Sequence, residues 1–197
     1  TFNQGEVIKT IPIKGENQRA TMEISVLNNT GHDAENAVLI GRIPFKGNKD
    51  VETGKDLGSN VDTIMKSALI PDAVNSNNTT IYYSSNPNAD KDLNNEVNGW
   101  SPTYAVFDNV KSYMIVVDGV LETGGILKFK YDFEIPANLG YEVKMIGSFG
   151  AFYNNQSSIA DKVGLITEAG AKYEANISVD IGDGVEVGEA RYIKYKV

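Results

Sequence analysis

The chain of 197 residues carries 41% hydrophobic and 22% charged residues, enough for one sizeable core and too apolar for a disordered segment. Its net charge of −8 argues against nucleic-acid binding, which relies on clustered Lys and Arg. Apolar runs such as Ile115 to Val117 and its neighbours fall far short of the ~20 residues that cross a bilayer as a helix, so no membrane insertion of this segment is expected.

In chain order, alternation of β-branched and aromatic residues predicts strands at Val7 to Ile13, Ala20 to Leu27, Ala37 to Ile43, Thr79 to Tyr83 and Ser112 to Val117. Further strands are predicted at Ile126 to Ile135, Lys144 to Tyr153, Tyr173 to Ile181 and Arg191 to Val197. Turn formers separate them, among them Asn28 to Gly31, Gly47 to Asp50, Asp118-Gly119 and Gly182 to Gly184. Only Val61 to Ile70 admits a short helical turn, and Leu69-Ile70-Pro71 also suits a strand that ends at its proline. Half-buried strands need a second sheet over their apolar side, so the pattern predicts an all-β, immunoglobulin-like antiparallel β-sandwich, with a closed barrel as its main rival. The stretches Lys46 to Asn78 and Ser84 to Asn109 are long for sandwich loops and are where such a fold carries irregular packing or function.

The second and last predicted strands share an outline. Gly15-Glu16 leads to Met22-Glu23-Ile24-Ser25-Val26, and Gly188-Glu189 leads to Ile193-Lys194-Tyr195-Lys196-Val197. Two readings follow. Residues 1–197 form a single sandwich domain that this strand closes, or residues 185–197 are the first strand of a following repeat with a domain-sized period.

Cysteine is absent and His32 is the lone histidine, set in an Asn-Thr-Gly-His-Asp turn, which leaves thiol catalysis, Cys-based zinc sites and a histidine triad without their residues. No local motif assigns an acid and a base, and no catalytic residue is expected. Three constellations remain. Asp90, Asp92, Asn94 and Glu96 alternate along an Asn/Asp-rich loop and could turn several oxygens to a calcium ion, which takes six to eight of them; a solvated loop without metal is the plainer reading. Asp180, Asp183 and Glu186 make a second acidic group around a tight turn. Trp100 with Tyr82, Tyr83 and Tyr104 could form an aromatic platform for a glycan or a host protein, the alternative being that Trp100 plugs one end of the sandwich.

The stretch Met22 to Pro44, with its Asn-Asn-Thr-Gly turn, its Ala37-Val38 strand and its closing Pro44, resembles the opening of the tandem-repeat domains known as DUF11 repeats in Gram-positive cell-surface proteins. On that resemblance Val38 and Ile40 are expected to point inward and Pro44 to end the strand at a sheet margin. The segments Tyr82 to Ala89 through Asn98-Gly99-Trp100, then Lys111-Ser112-Tyr113 and Tyr131 to Pro136, look like a longer version of the same domain. The resemblance implies a non-catalytic extracellular module of the cell surface or cell wall, a stalk repeat supporting adhesion with neighbouring repeats of the same polypeptide as its partners. A ligand-binding module built on the loops around 84–109 is the alternative. Such sandwiches sometimes carry a Lys-to-Asn cross-link, for which Lys9, Lys14, Glu23 and Asn176 supply the residue types.

Overall fold

The computed structural model describes residues 7–11, 15–28, 31–51, 53–71, 74–139, 143–153 and 165–169. Among these, twelve strands run in chain order: β1 Val7–Ile11, β2 Gln18–Leu27, β3 Ala34–Glu35, β4 Val38–Arg42, β5 Ile64–Met65, β6 Ile70–Pro71, β7 Thr79–Ser84, β8 Ser112–Val117, β9 Val120–Leu121, β10 Ile126–Ile135, β11 Val143–Phe152 and β12 Leu165–Ala169. The strands predicted at Tyr173 to Ile181 and Arg191 to Val197 lie outside the described residues, and with them the question of a following repeat.

The strands form an all-β sandwich. A large sheet has the order β1-β12-β11-β4-β8-β7 and a smaller one the order β2-β10-β5, with β6 also on β10. All pairings are antiparallel except β1 with β12. β2 and β10 pair without a break from Gln18 opposite Ile135 to Leu27 opposite Ile126. Their alternation fixes which face is buried: Met22, Ile24 and Val26 with Leu127, Phe129, Tyr131, Phe133 and Ile135 turn inward, while Thr21, Glu23 and Ser25 stay exposed. Each such side chain, fully buried, contributes about 1.5–3 kcal/mol relative to exposure.

The large sheet answers with Leu39 and Ile43 around β4, Tyr113, Ile115 and Val117 of β8, and Met145 and Phe149 of β11. The sheets meet ring to ring, Tyr113 of β8 and Tyr131 of β10 having centroids 5.6 Å apart. Room for Tyr113 comes from its cross-strand partner Gly41, where a Cβ would lie 2.0 Å from the ring carbon Cζ. Burial holds both phenols above their ordinary pKa.

Two expectations need correction. Val61 to Ile70 holds no helical turn: it supplies β5 and β6, and between them the Leu69 amide donates to the buried Tyr83 Oη at 2.9 Å. The parity assigned to β4 is also reversed. Leu39 and Ile43 belong to the core cluster, whereas Ile40 and Arg42 face the opposite side of the sheet and are buried there too. A strand covered on both faces gives no sequence signal of which face is which.

Candidate functional site: a capped outer face

What covers Ile40 is the pair of long insertions. The outer face of the large sheet carries Ile40 and Arg42 of β4, Met114 and Ser112 of β8, Ile146, Ser148 and Phe152 of β11, and Ser84 of β7, as the pairings Ser148–Arg42 and Arg42–Ser112 require. Met114 is fully buried and Ile40 nearly so.

The first insertion, residues 43–63, follows β4 after Arg42 and is pinned back by Asn48. Its buried Nδ2 donates to Ile146 O at 2.7 Å and Ile43 O at 3.2 Å, so a side-chain amide does the work of a ladder bond. The Val51 amide then reaches Ser148 Oγ at 2.8 Å.

The second insertion, residues 85–111, is a run of Asx turns. Asn86 Oδ1 caps the amide of Asn88, Asp90 Oδ1 that of Asp92, Asp92 Oδ1 that of Asn94, and Asn95 Oδ1 that of Val97, at 2.8–3.1 Å. Asn98 is the buried hub of the loop. Its Nδ2 donates to Asp90 Oδ1 at 2.6 Å and Asp92 O at 2.8 Å, and its Oδ1 accepts from the Asp90 amide at 3.1 Å. Ser84 Oγ donates to Asn98 O, Ser112 Oγ donates to Asn86 O at 2.8 Å, and Ser101 bridges to the edge of β7 at Tyr83. Gly99, with φ 60°, supplies the left-handed residue that lets the loop turn there.

The alternation of Asp90, Asp92 and Asn94 therefore has a local cause, since Asp90 Oδ1 and Asp92 Oδ1 each serve the backbone amide two residues on. Glu96 is exposed in a short 3-10 turn, and among the described residues no three acidic or imidazole side chains are gathered for a metal. Nor do the four aromatic residues make one platform. Tyr83 is core, packed on Phe107 at 5.1 Å and Tyr104 at 6.3 Å, while Tyr82 takes the outer-face parity opposite Met114. Trp100 is half-buried and its Nε1 donates to Asp90 O at 2.7 Å, tying the loop together rather than plugging the sandwich. Of the cross-link residues, Glu23 is exposed on the smaller sheet opposite Lys130, Lys9 lies in β1 of the large sheet opposite Thr167, and Lys14 and Asn176 lie outside the described residues, as do Asp180, Asp183 and Glu186.

Between the insertions opens a cleft of about 380 Å³. Ile40, Arg42 and Phe152 come from the sheet, Val51 from the first insertion, and Ala89 to Asp92 from the second. Lys91 Nζ stands 5.3 Å from the centre of the Phe152 ring, in cation–π range. Arg42 is the unusual group. It is only 7% exposed; its Nη1 donates to Lys49 O at 2.8 Å and to Asp50 O at 3.5 Å, while its buried Nε has no partner. Burial pulls the guanidinium pKa down and the nearby Asp50 carboxylate pulls it back up. A buried donor left unpaired costs about 1–3 kcal/mol, so this arginine is held at a cost to stability. Nothing in the sequence marks Arg42, Asn48, Asn98 or Phe152 beforehand, apart from a charged residue standing inside an otherwise apolar strand.

No protein-family model matches the chain, and no curated protein matches its sequence, so the resemblance to tandem-repeat domains stands without a family match. Solved structures similar to it include the N-terminal domain of PorA, at 12% identity and a TM-score of 0.35, covering 86% of this chain and 90% of that one. A family 123 glycoside hydrolase from Clostridium perfringens gives 14% and 0.33 over 83% of this chain and 22% of that one. The CupB6 tip adhesin from Pseudomonas aeruginosa gives 8% and 0.30 over 84% of this chain and 40% of that one. Likeness at this level leaves binding and activity to be argued from the capped face.

Proposed function

We propose that this chain is a non-catalytic module of a bacterial cell-surface protein and that it contributes to adhesion by binding a ligand on the capped face of its large sheet. The observation that carries the reading is the construction of the cap. Two insertions from different parts of the chain are fastened to one sheet face by buried side chains, and they leave a cleft with a buried, half-satisfied arginine in it. A module acting only as a spacer has no need of such a face, since the sheet core alone supplies its rigidity. The resemblance of Met22 to Pro44 to Gram-positive surface repeats supports an extracellular setting with neighbouring repeats, and a net charge of −8 suits solubility in a crowded stalk. Pull-down and glycan-array binding, compared between the wild type and Trp100→Ala, test the reading. Trp100→Ala removes the Nε1 bond to Asp90 O and is expected to lose binding; equal binding by both proteins places the ligand elsewhere and refutes the role of this face.

A further inference from the structure

We infer that the cleft between the insertions takes a small organic carboxylate, gripped by the Arg42 guanidinium through its unpartnered Nε, with hydrogen-bond donors at the ligand's other end meeting Asp90 and Asp92. The inference rests on the binding reading above and names the ligand class for the same face.

Three observations converge on it. First, among the described residues the guanidinium donates from Nη1, to the carbonyls of Lys49 and Asp50. That anchors the plane of the group and leaves the Nε side of the fork, whose spacing matches the two oxygens of a carboxylate. Second, Nε is buried and unpartnered, a state that native proteins avoid almost everywhere and that an incoming acceptor would relieve. Third, the walls suit a small amphipathic molecule. Ile40, Ala89 and the Phe152 ring are apolar, Asp90 and Asp92 add acceptors, and about 380 Å³ falls within the range of small-molecule sites.

The same residues exclude a polyanion. Asp90 and Asp92 line the cleft with Arg42 and Lys91, and Asp50 lies close enough to act on the guanidinium, so three carboxylates stand against two cations and a ligand of several negative charges meets as much repulsion as attraction. A single carboxylate with hydroxyl or ammonium groups matches a cleft in which Arg42 and Lys91 stand with the acceptors Asp90 and Asp92. A sugar acid and a free amino acid both have that chemistry.

Titrations followed by ¹⁵N–¹H NMR separate these sources. D-glucuronate is compared with D-glucose, and L-leucine with L-leucinamide, each pair differing by the carboxylate. The readouts are the Arg42 Nε–H signal and the amides of 40–42, 89–92 and 152. A carboxylate that binds shifts these signals saturably at or below about 10 mM, while its neutral counterpart leaves them in place. Arg42→Lys, which keeps the charge and loses the fork, weakens binding roughly tenfold or more. Asp92→Asn keeps the Asx turn through its Oδ1 and weakens an amino acid more than a sugar acid. Should Arg42 variants fail to fold, the wild-type Nε–H signal decides alone. Equal shifts with the neutral counterparts overturn the carboxylate assignment while the binding face stands. No shift from either carboxylate in folded wild type also overturns it, and the pull-down with Trp100→Ala then judges the face separately.

Discussion

Replacing Gly41 with alanine tests how tightly the two sheets are fitted. The added Cβ would sit 2.0 Å from Tyr113 Cζ and 2.2 Å from both Cε2 and Oη. Carbon atoms in contact want about 3.5–4.0 Å, so the ring must retreat by roughly 1.5 Å. Its retreat is blocked by Tyr131, whose ring centroid is 5.6 Å away across the core. Overpacking of this kind costs typically about 1–3 kcal/mol, and a clash with the hydroxyl end of a rigid, buried ring belongs at the upper end. For a chain of this size about 3 kcal/mol lowers Tm by roughly 6–12 °C. Thermal and urea unfolding of Gly41→Ala, Tyr113→Leu and the double variant form a cycle in which the double variant is more stable than the sum of the singles predicts. A Gly41→Ala protein as stable as the wild type, or strictly additive effects, would show that Tyr113 does not lie across Gly41.

Three further outcomes follow from the same packing. Tyr113 and Tyr131 stay protonated in the folded state above the ordinary pKa of 10.0, while in the unfolded chain they ionise near it. The unfolded state then binds fewer protons, so stability falls as pH rises beyond about 10, by up to about 1.4 kcal/mol per pH unit for each group, and urea midpoints of Tyr113→Phe should fall less steeply than those of the wild type. Asn98→Ala deletes three hydrogen bonds at the hub of the second insertion; it should cost about 1–3 kcal/mol and strip hydrogen-exchange protection from the Asp90 amide, whereas unchanged protection would dismiss Asn98 as an organiser. Melts with calcium and with chelator should coincide, because Asp90 and Asp92 oxygens already serve the loop's amides; a rise in Tm with calcium would show that those side chains turn to a metal instead.

How much was legible in the sequence depended on whether a strand is covered on one face or two. β2 and β10 alternate plainly because their outer faces meet water, and their predicted ranges lie close to the observed Gln18–Leu27 and Ile126–Ile135. β4 is covered on both sides, so Ile40 and Leu39 look alike in sequence and the wrong one was turned inward. β12, paired parallel to β1, has the sequence Leu165-Ile166-Thr167-Glu168-Ala169, which shows no apolar–polar alternation for periodicity to reveal. The length of the two insertions marked the right regions. Their chemistry was hidden, because an Asp-x-Asp-x-Asn run reads the same whether its oxygens face a metal or cap the backbone, and the distinction rests on Asn98, a residue beyond the run. Arg42 gains its character only when Lys49 and Asp50 fold back over it.

The account stands or falls on the cap being a fixed part of the domain. ¹⁵N relaxation of residues 86–100 measures this directly. Order parameters close to the rigid-backbone value of about 0.85, matching those of β4 and β8, are the predicted result; values below about 0.6 would mean that the loop is not fastened to the sheet and that the Arg42 cleft is not a standing site.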